Sequence, residues 1–162
     1  MSSLPVDNRS HRPEIAVTVD AVIITSRDGK PMLVMVRRGN EPFLGSWALP
    51  GGFVEIDEDL SDAASRELRE ETGLTIPAQA LTQLGAYGRP GRDPRMRVVS
   101  IAYWAYRDHL DEPTAGSDAA TSRLIPLDES LAEDFDLAFD HSQIVSDAVK
   151  AARREGWPVG DG

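Results

Sequence analysis

The run from Gly52 to Leu74, GFVEIDEDLSDAASRELREETGL, constrains this chain more than any other stretch. The pair Gly51-Gly52 leaves a tight turn, an acidic helix follows, and Gly73 stands where a left-handed helix end is wanted. Asp57 is placed to cap the helix, with Glu58, Asp59 and Asp62 adding negative charge where the helix dipole favours it. Leu60, Ala64 and Leu68 recur at i, i+4 and i+8 and supply a face for a core. Glu67, Glu70 and Glu71 share the other face. Like charges at that spacing cost about 0.2–0.5 kcal/mol per pair. Arg66 reaches Glu70 at i+4 and Asp62 at i−4 but cannot neutralise the whole cluster. On these acids alone two readings stand: a solvated acidic face, or a divalent-cation site, because Mg²⁺ and Mn²⁺ prefer clustered carboxylates.

The chain has 162 residues, enough for one domain with a real core. We expect a loose arm over residues 1–13 and a single domain over 14–158. There is no cysteine, which excludes disulfides, thiolate metal sites and a cysteine nucleophile. The absence of a long apolar run or signal core leads us to expect a cytoplasmic protein with no membrane partner. A net charge of −10 argues against general nucleic-acid binding and requires local arginines or metal if the substrate is itself acidic.

Ile15–Thr25 reads as a strand entering a buried sheet, Asp28-Gly29 as a turn, and Met32–Arg38 as the returning strand. Leu81–Gly88 and Val98–Arg107 read as two more strands. Between them, GRPGRDPRMR carries Arg89, Arg92, Arg95 and Arg97, either a solvated hairpin tip or a set of guanidinium forks suited to phosphate. Trp47, Phe43, Tyr87 and Tyr103 are available to stack a base and equally suited to packing. The segment 111–118 is an acidic loop containing Glu112 and Asp118. Asp140–Arg154 is a helix opened by an Asp140/Gln143 capping box, ended by Gly156 and Pro158, with Ile144, Val145, Ala148 and Ala152 as its apolar stripe. His141 at its start reads as structural. Strands around one acidic helix, plus a second helix, imply helices on both faces of a mixed sheet.

Gly52, five residues, Glu58, seven residues, then Arg66-Glu67-Leu68-Arg69-Glu70-Glu71-Thr72-Gly73-Leu74 matches the Nudix box in full. A chance match is on the order of one in a billion per start point at average residue usage. The chain therefore resembles a Nudix hydrolase. The Arg-Asp-Pro-Arg string, and Leu137-Ala138-Phe139-Asp140-His141 further on, are similar to the ADP-ribose pyrophosphatase-like subgroup.

That resemblance implies an α/β/α sandwich with a central mixed sheet and hydrolysis of a pyrophosphate linkage with Mg²⁺ or Mn²⁺. It implies Glu67, Glu70 and Glu71, with the Gly51 carbonyl, as metal ligands. Arg66 would orient the glutamates, and Glu58 would act from behind them. The general base is Glu67 or an acid of the 111–118 loop, Glu112 or Asp118. Arg89, Arg92 and Arg95 are expected to bind substrate together with Trp47; Gly52 and Gly73 are structural. The expected partner is a small nucleotide, ADP-ribose first, and the assembly a possible homodimer. The rivals are a nucleoside triphosphate pyrophosphohydrolase and a non-catalytic ADP-ribose sensor. Only about twenty residues follow Asp140, fewer than a DNA-binding winged helix needs.

Overall fold

The computed structural model describes residues 12–116 and 119–160. Most of the expected arm and Asp118 lie outside the described residues.

β1 (Ala16–Arg27) and β2 (Lys30–Arg38) are joined at Asp28-Gly29, both left-handed at φ 51° and 76°, as the sequence predicts. Their pairing lasts only from Ile24↔Leu33 to Arg27↔Lys30, after which the two strands splay apart. The chain then fills the fork. β3 (Trp47–Ala48) pairs with β2, and β4 (Gly51–Phe53) crosses over to pair with β1. β5 (Thr82–Tyr87) and β6 (Val98–Arg107) add a second hairpin. β6 runs parallel to β1 along ten registered pairs. β7 (Ala119–Pro126) pairs antiparallel with β2. The result is a seven-stranded mixed sheet.

β1 is buried on both faces, which explains its continuous apolar run. Val19, Ala21 and Ile23 point to one side, where α1 (Leu60–Thr72) packs through Ala63, Ala64 and Leu68. Val22 and Ile24 point to the other, where α3 (His141–Arg154) packs through Ile144, Val145, Ala148 and Ala152. α2 is a single turn, Leu127–Ser130. Asp20 shares the parity of Val22 and so faces the α3 side. That one alternation decides what the only acid in β1 can meet.

Three expectations about local structure are corrected. The N-cap of α1 is Asp59, whose extended backbone and carboxylate serve Leu60, because the helix starts later than Asp57 requires. Arg66 does not pair with Asp62; its guanidinium turns towards the turn before the helix. The Asp140/Gln143 capping box does not form, because Arg92 takes the Asp140 carboxylate and the Gln143 amide donates to Asp147. Gly73 ends α1 at φ 73°, as expected.

Candidate active site

A cleft of about 510 Å³ opens in the fork between β1 and β2, floored by the β3–β4 crossover and flanked by the 88–97 loop. Alternation along β4 sets its chemistry. Pro50 and Val54 bond to β1, so the Gly51 peptide between them faces α1, and its N–H donates to Glu71 at 3.2 Å. Gly52 lies so close to Glu67 that a Cβ there would stand 2.6 Å from the carboxyl carbon. The double glycine is therefore the surface against which two of the box glutamates rest.

Arg66, largely buried, organises the acids. Its Nε and Nη2 grip both oxygens of Glu58 at 2.6 and 2.8 Å. Nη1 reaches Glu67 at 2.8 Å and Glu70 at 3.1 Å, and Nη2 also bonds the Phe53 carbonyl at 3.2 Å. Every donor of the fork is used, which a lysine would not reproduce. Hydrogen bonding to Arg66 holds the Glu58 carboxyl below its usual range. Glu67 and Glu71 behave in the opposite way. Burial pushes Glu67 up against the pull of Arg66. Burial pushes Glu71 up to about 8, and neighbouring Glu67 and Asp20 add to it, while the Gly51 N–H opposes.

Of the two, Arg66 offsets Glu67 alone, and among the described residues no cation pairs with Glu71. The oxygens of these two desolvated carboxyls, with the Gly51 peptide, are hard donors of the kind divalent cations take. The residues present fit such an ion. Glu70 is drawn aside by Arg66 and half exposed. Accordingly, among the described residues no three His, Asp or Glu side chains converge as a ready cage.

Cationic side chains line the same cleft. Arg37, Arg38, Arg92 and Arg95 all line the cleft. Arg38 donates from Nε to the Pro42 carbonyl at 2.7 Å and lies 5.0 Å over the Phe139 ring. Arg92 is 4% exposed and grips Asp140 at 2.9 and 2.6 Å. Arg95 is held by Asp93 at 3.0 and 2.7 Å, remains 38% exposed and sits 5.5 Å over Phe53. Arg95 is thus the arginine of the Arg-Asp-Pro-Arg string with a face still open to the cleft.

The structure brings together Gly51, Gly52, Arg66, Glu67, Glu71, Arg92 and Arg95 around one cavity, with Glu58 and Glu70 attached through Arg66. It does not bring in Arg89 or Trp47. Arg89 is exposed outside the lining, and Trp47 packs on the core beneath Arg37. Glu112 is also outside, ion-paired with Arg27 at 2.6 Å. Tyr87 bonds Asp147 and Tyr103 is buried, so the aromatic rings of the cleft are Phe53 and Phe139.

Sequence reasoning missed Arg37, Arg38, Asp20 and Phe139. A lone acid inside an apolar strand was the available signal for Asp20. Arg37-Arg38 looked like a plain strand end.

The NUDIX domain family matches residues 14–148. Over 136 residues the chain is 41% identical to the ADP-ribose pyrophosphatase of Methanocaldococcus jannaschii, covering 83% of this chain and 73% of that protein. Over 142 residues it is 33% identical to the ADPR responsive transcriptional repressor NtrR of Acinetobacter baylyi, covering 86% of this chain but only 55% of the repressor. The NUDIX domain of Shewanella oneidensis NrtR complexed with ADP ribose superposes with a TM-score of 0.80 at 32% identity, covering 91% of this chain and 94% of that one. With its box glutamates set against the double glycine and most of its length matched, this chain belongs to the Nudix family.

Proposed function

We propose that the protein is a Nudix pyrophosphohydrolase that cleaves ADP-ribose with water to AMP and ribose 5-phosphate. The observation that carries this reading is one cleft lined both by desolvated Glu67 and Glu71 and by Arg37, Arg38, Arg92 and Arg95. A pyrophosphate needs its negative oxygens neutralised before a nucleophile can approach. The pyrophosphatase and the ADP-ribose-bound domain described above support ADP-ribose as the molecule.

Nudix hydrolases generally use divalent metal ions, and here Mg²⁺ or Mn²⁺ would be held by Glu67, Glu70, Glu71 and the Gly51 carbonyl. Such an ion supplies neutralisation of phosphate oxygens and a lowered pKa for water. The chain's own residues do the rest. Arg95 and Arg38 present guanidinium groups to the phosphates, Phe139 and Phe53 offer apolar surface, and Arg66 keeps Glu67 and Glu70 oriented. Glu67, whose proton affinity burial raises, is the general-base candidate that the cleft contains.

The test is a substrate screen of the purified protein with Mg²⁺ or Mn²⁺ against ADP-ribose, sugar nucleotides, dinucleotides and nucleoside triphosphates. AMP release fastest from ADP-ribose is expected; a preference for triphosphates would replace the substrate. The repressor relative supports a second reading, ADP-ribose sensing, and tight binding without turnover of any substrate would establish it.

A further inference from the structure

The segment Leu137–His141 is held at almost every residue, although β1–β7 do not include it. The Trp47 N–H donates to the Asp136 carbonyl at 3.0 Å, and the Ala138 N–H donates to the Trp47 carbonyl at 2.8 Å. These bonds lay one parallel rung beside β3. Ala138 is completely buried there, and Phe139, at φ 53°, turns the chain from the rung into α3. Asp140 gives its carboxylate to Arg92.

His141, 4% exposed, reaches the opposite way. Its Nδ1 accepts the Leu49 N–H at 3.0 Å, and its Nε2 lies 3.3 Å from Asp20 Oδ1. A ring nitrogen that accepts an N–H carries no proton, so the ring donates from Nε2 to Asp20. Asp20 takes the Ser100 hydroxyl on its other oxygen at 2.5 Å.

Leu49 sits where the chain leaves β2 and has not yet joined β1. The rung Val36↔Ala48 precedes it, and the bond from the Ala21 N–H to the Pro50 carbonyl follows it. Its buried amide depends on a side chain for an acceptor, and His141 is that side chain. Two residues later comes Gly51, whose N–H meets Glu71, and then Gly52, on which Glu67 rests. A crossover that shifts carries both supports with it.

We propose that His141 is a positioning residue for hydrolysis: by accepting the Leu49 N–H at Nδ1 it holds the crossover on which Glu67 and Glu71 are set. The inference rests on the hydrolytic reading of the cleft. It also gives the Leu137–His141 motif a physical role, since the rung, the turn at Phe139 and the Asp140–Arg92 pair all deliver His141 to Leu49.

The two halves of the imidazole can be tested separately. His141→Asn keeps an acceptor near the Nδ1 position and cannot reach Asp20. His141→Gln places an amide near the Nε2 position and leaves the Leu49 N–H without an acceptor. The readouts are kcat and KM for ADP-ribose, and hydrogen exchange of the Leu49, Gly51 and Gly52 amides, followed by NMR on the metal-free protein.

Loss of a hydrogen bond to a buried amide changes an equilibrium by about tenfold. His141→Gln is therefore expected to lower kcat about tenfold or more, change KM less than about threefold, and speed Leu49 exchange about tenfold. His141→Asn stays within about threefold of the parent in each. Wild-type kcat in the Gln variant overturns the proposal, as does equal loss of kcat in both variants. Should the Gln variant fail to fold, the Asn variant decides: lost kcat with Leu49 still protected overturns positioning through that amide. If the parent turns over no substrate, the hydrolytic reading fails, while the exchange data still report on the His141–Leu49 link.

Discussion

Arg66, Arg92 and Arg95 have different fates, and the difference is made by the carboxylate each one meets. Arg66 spends its whole fork on Glu58, Glu67, Glu70 and the Phe53 carbonyl, Arg92 is buried on Asp140, and Arg95 keeps an exposed face. A charged hydrogen bond to phosphate contributes about 1.5–3 kcal/mol, so Arg95→Ala should raise KM about tenfold or more. Arg89→Ala, outside the cleft, should leave KM unchanged; equal effects from the two would remove this assignment. Glu71→Gln is expected to lower kcat about a hundredfold or more with the fold intact by circular dichroism. Glu112→Gln, on a carboxylate tied to Arg27, should keep kcat within about twofold because an exposed ion pair contributes little. The box residues were legible because their spacing repeats a known pattern. The division of labour among Arg89, Arg92 and Arg95 was not, since composition is blind to which guanidinium finds a buried partner.

At the level of elements, α1 and the β3–β4 crossover form one unit. The helix was readable from its acidic start, apolar stripe and Gly73. Its far end is also tied down: the Thr114 and Gly116 N–H groups donate to the Thr72 and Glu71 carbonyls at 2.8 and 3.0 Å. A Cβ at Gly116 would collide with the Glu70 carbonyl, so this loop closes onto the last turn of α1 only as glycine. Gly52 is constrained differently. A Cβ there meets the end of the flexible Glu67 side chain, which can swing away at little cost to the fold. Gly52→Ala should therefore lower kcat at least about tenfold while Tm falls only a few degrees. A large drop in Tm with kcat preserved in the folded fraction would mean the glycine serves the turn alone. The crossover itself was invisible in the sequence, because two-residue strands carry no period.

Across the whole molecule, the buried acids Asp20 and Asp93 are held charged by the partners that the fold brings to them. Asp20 faces the α3 side, where burial pushes its carboxyl up but His141, Ser100 and Arg92 bring it below the usual value of 3.8. Asp93 is lowered in the same way, with burial opposed by Arg95. A carboxyl lowered on folding contributes stability that is present above the unfolded value and lost as pH falls through the folded one. Thermal melts should therefore show stability declining below about pH 4. Asp93→Asn should cost stability at neutral pH and flatten that acid limb. An unaltered limb would show that the Asp93–Arg95 pair contributes nothing. Among the described residues no helix is long and apolar enough to cross a membrane.

By itself the sequence determined the box helix, the strands around it and the bond to be cleaved, because those depend on local spacing and periodicity. Tertiary structure alone decided which groups share the cleft. Asp20, Arg38, Arg92 and His141 come from different elements of the chain, and only the splayed β1–β2 fork brings them together. The acidic helix supplies carboxylates from neighbouring turns, which any reading at helical spacing can find. Their supports, from the Leu49 amide to Gly52, depend on contacts across 92 residues of chain, and no local pattern encodes such a contact.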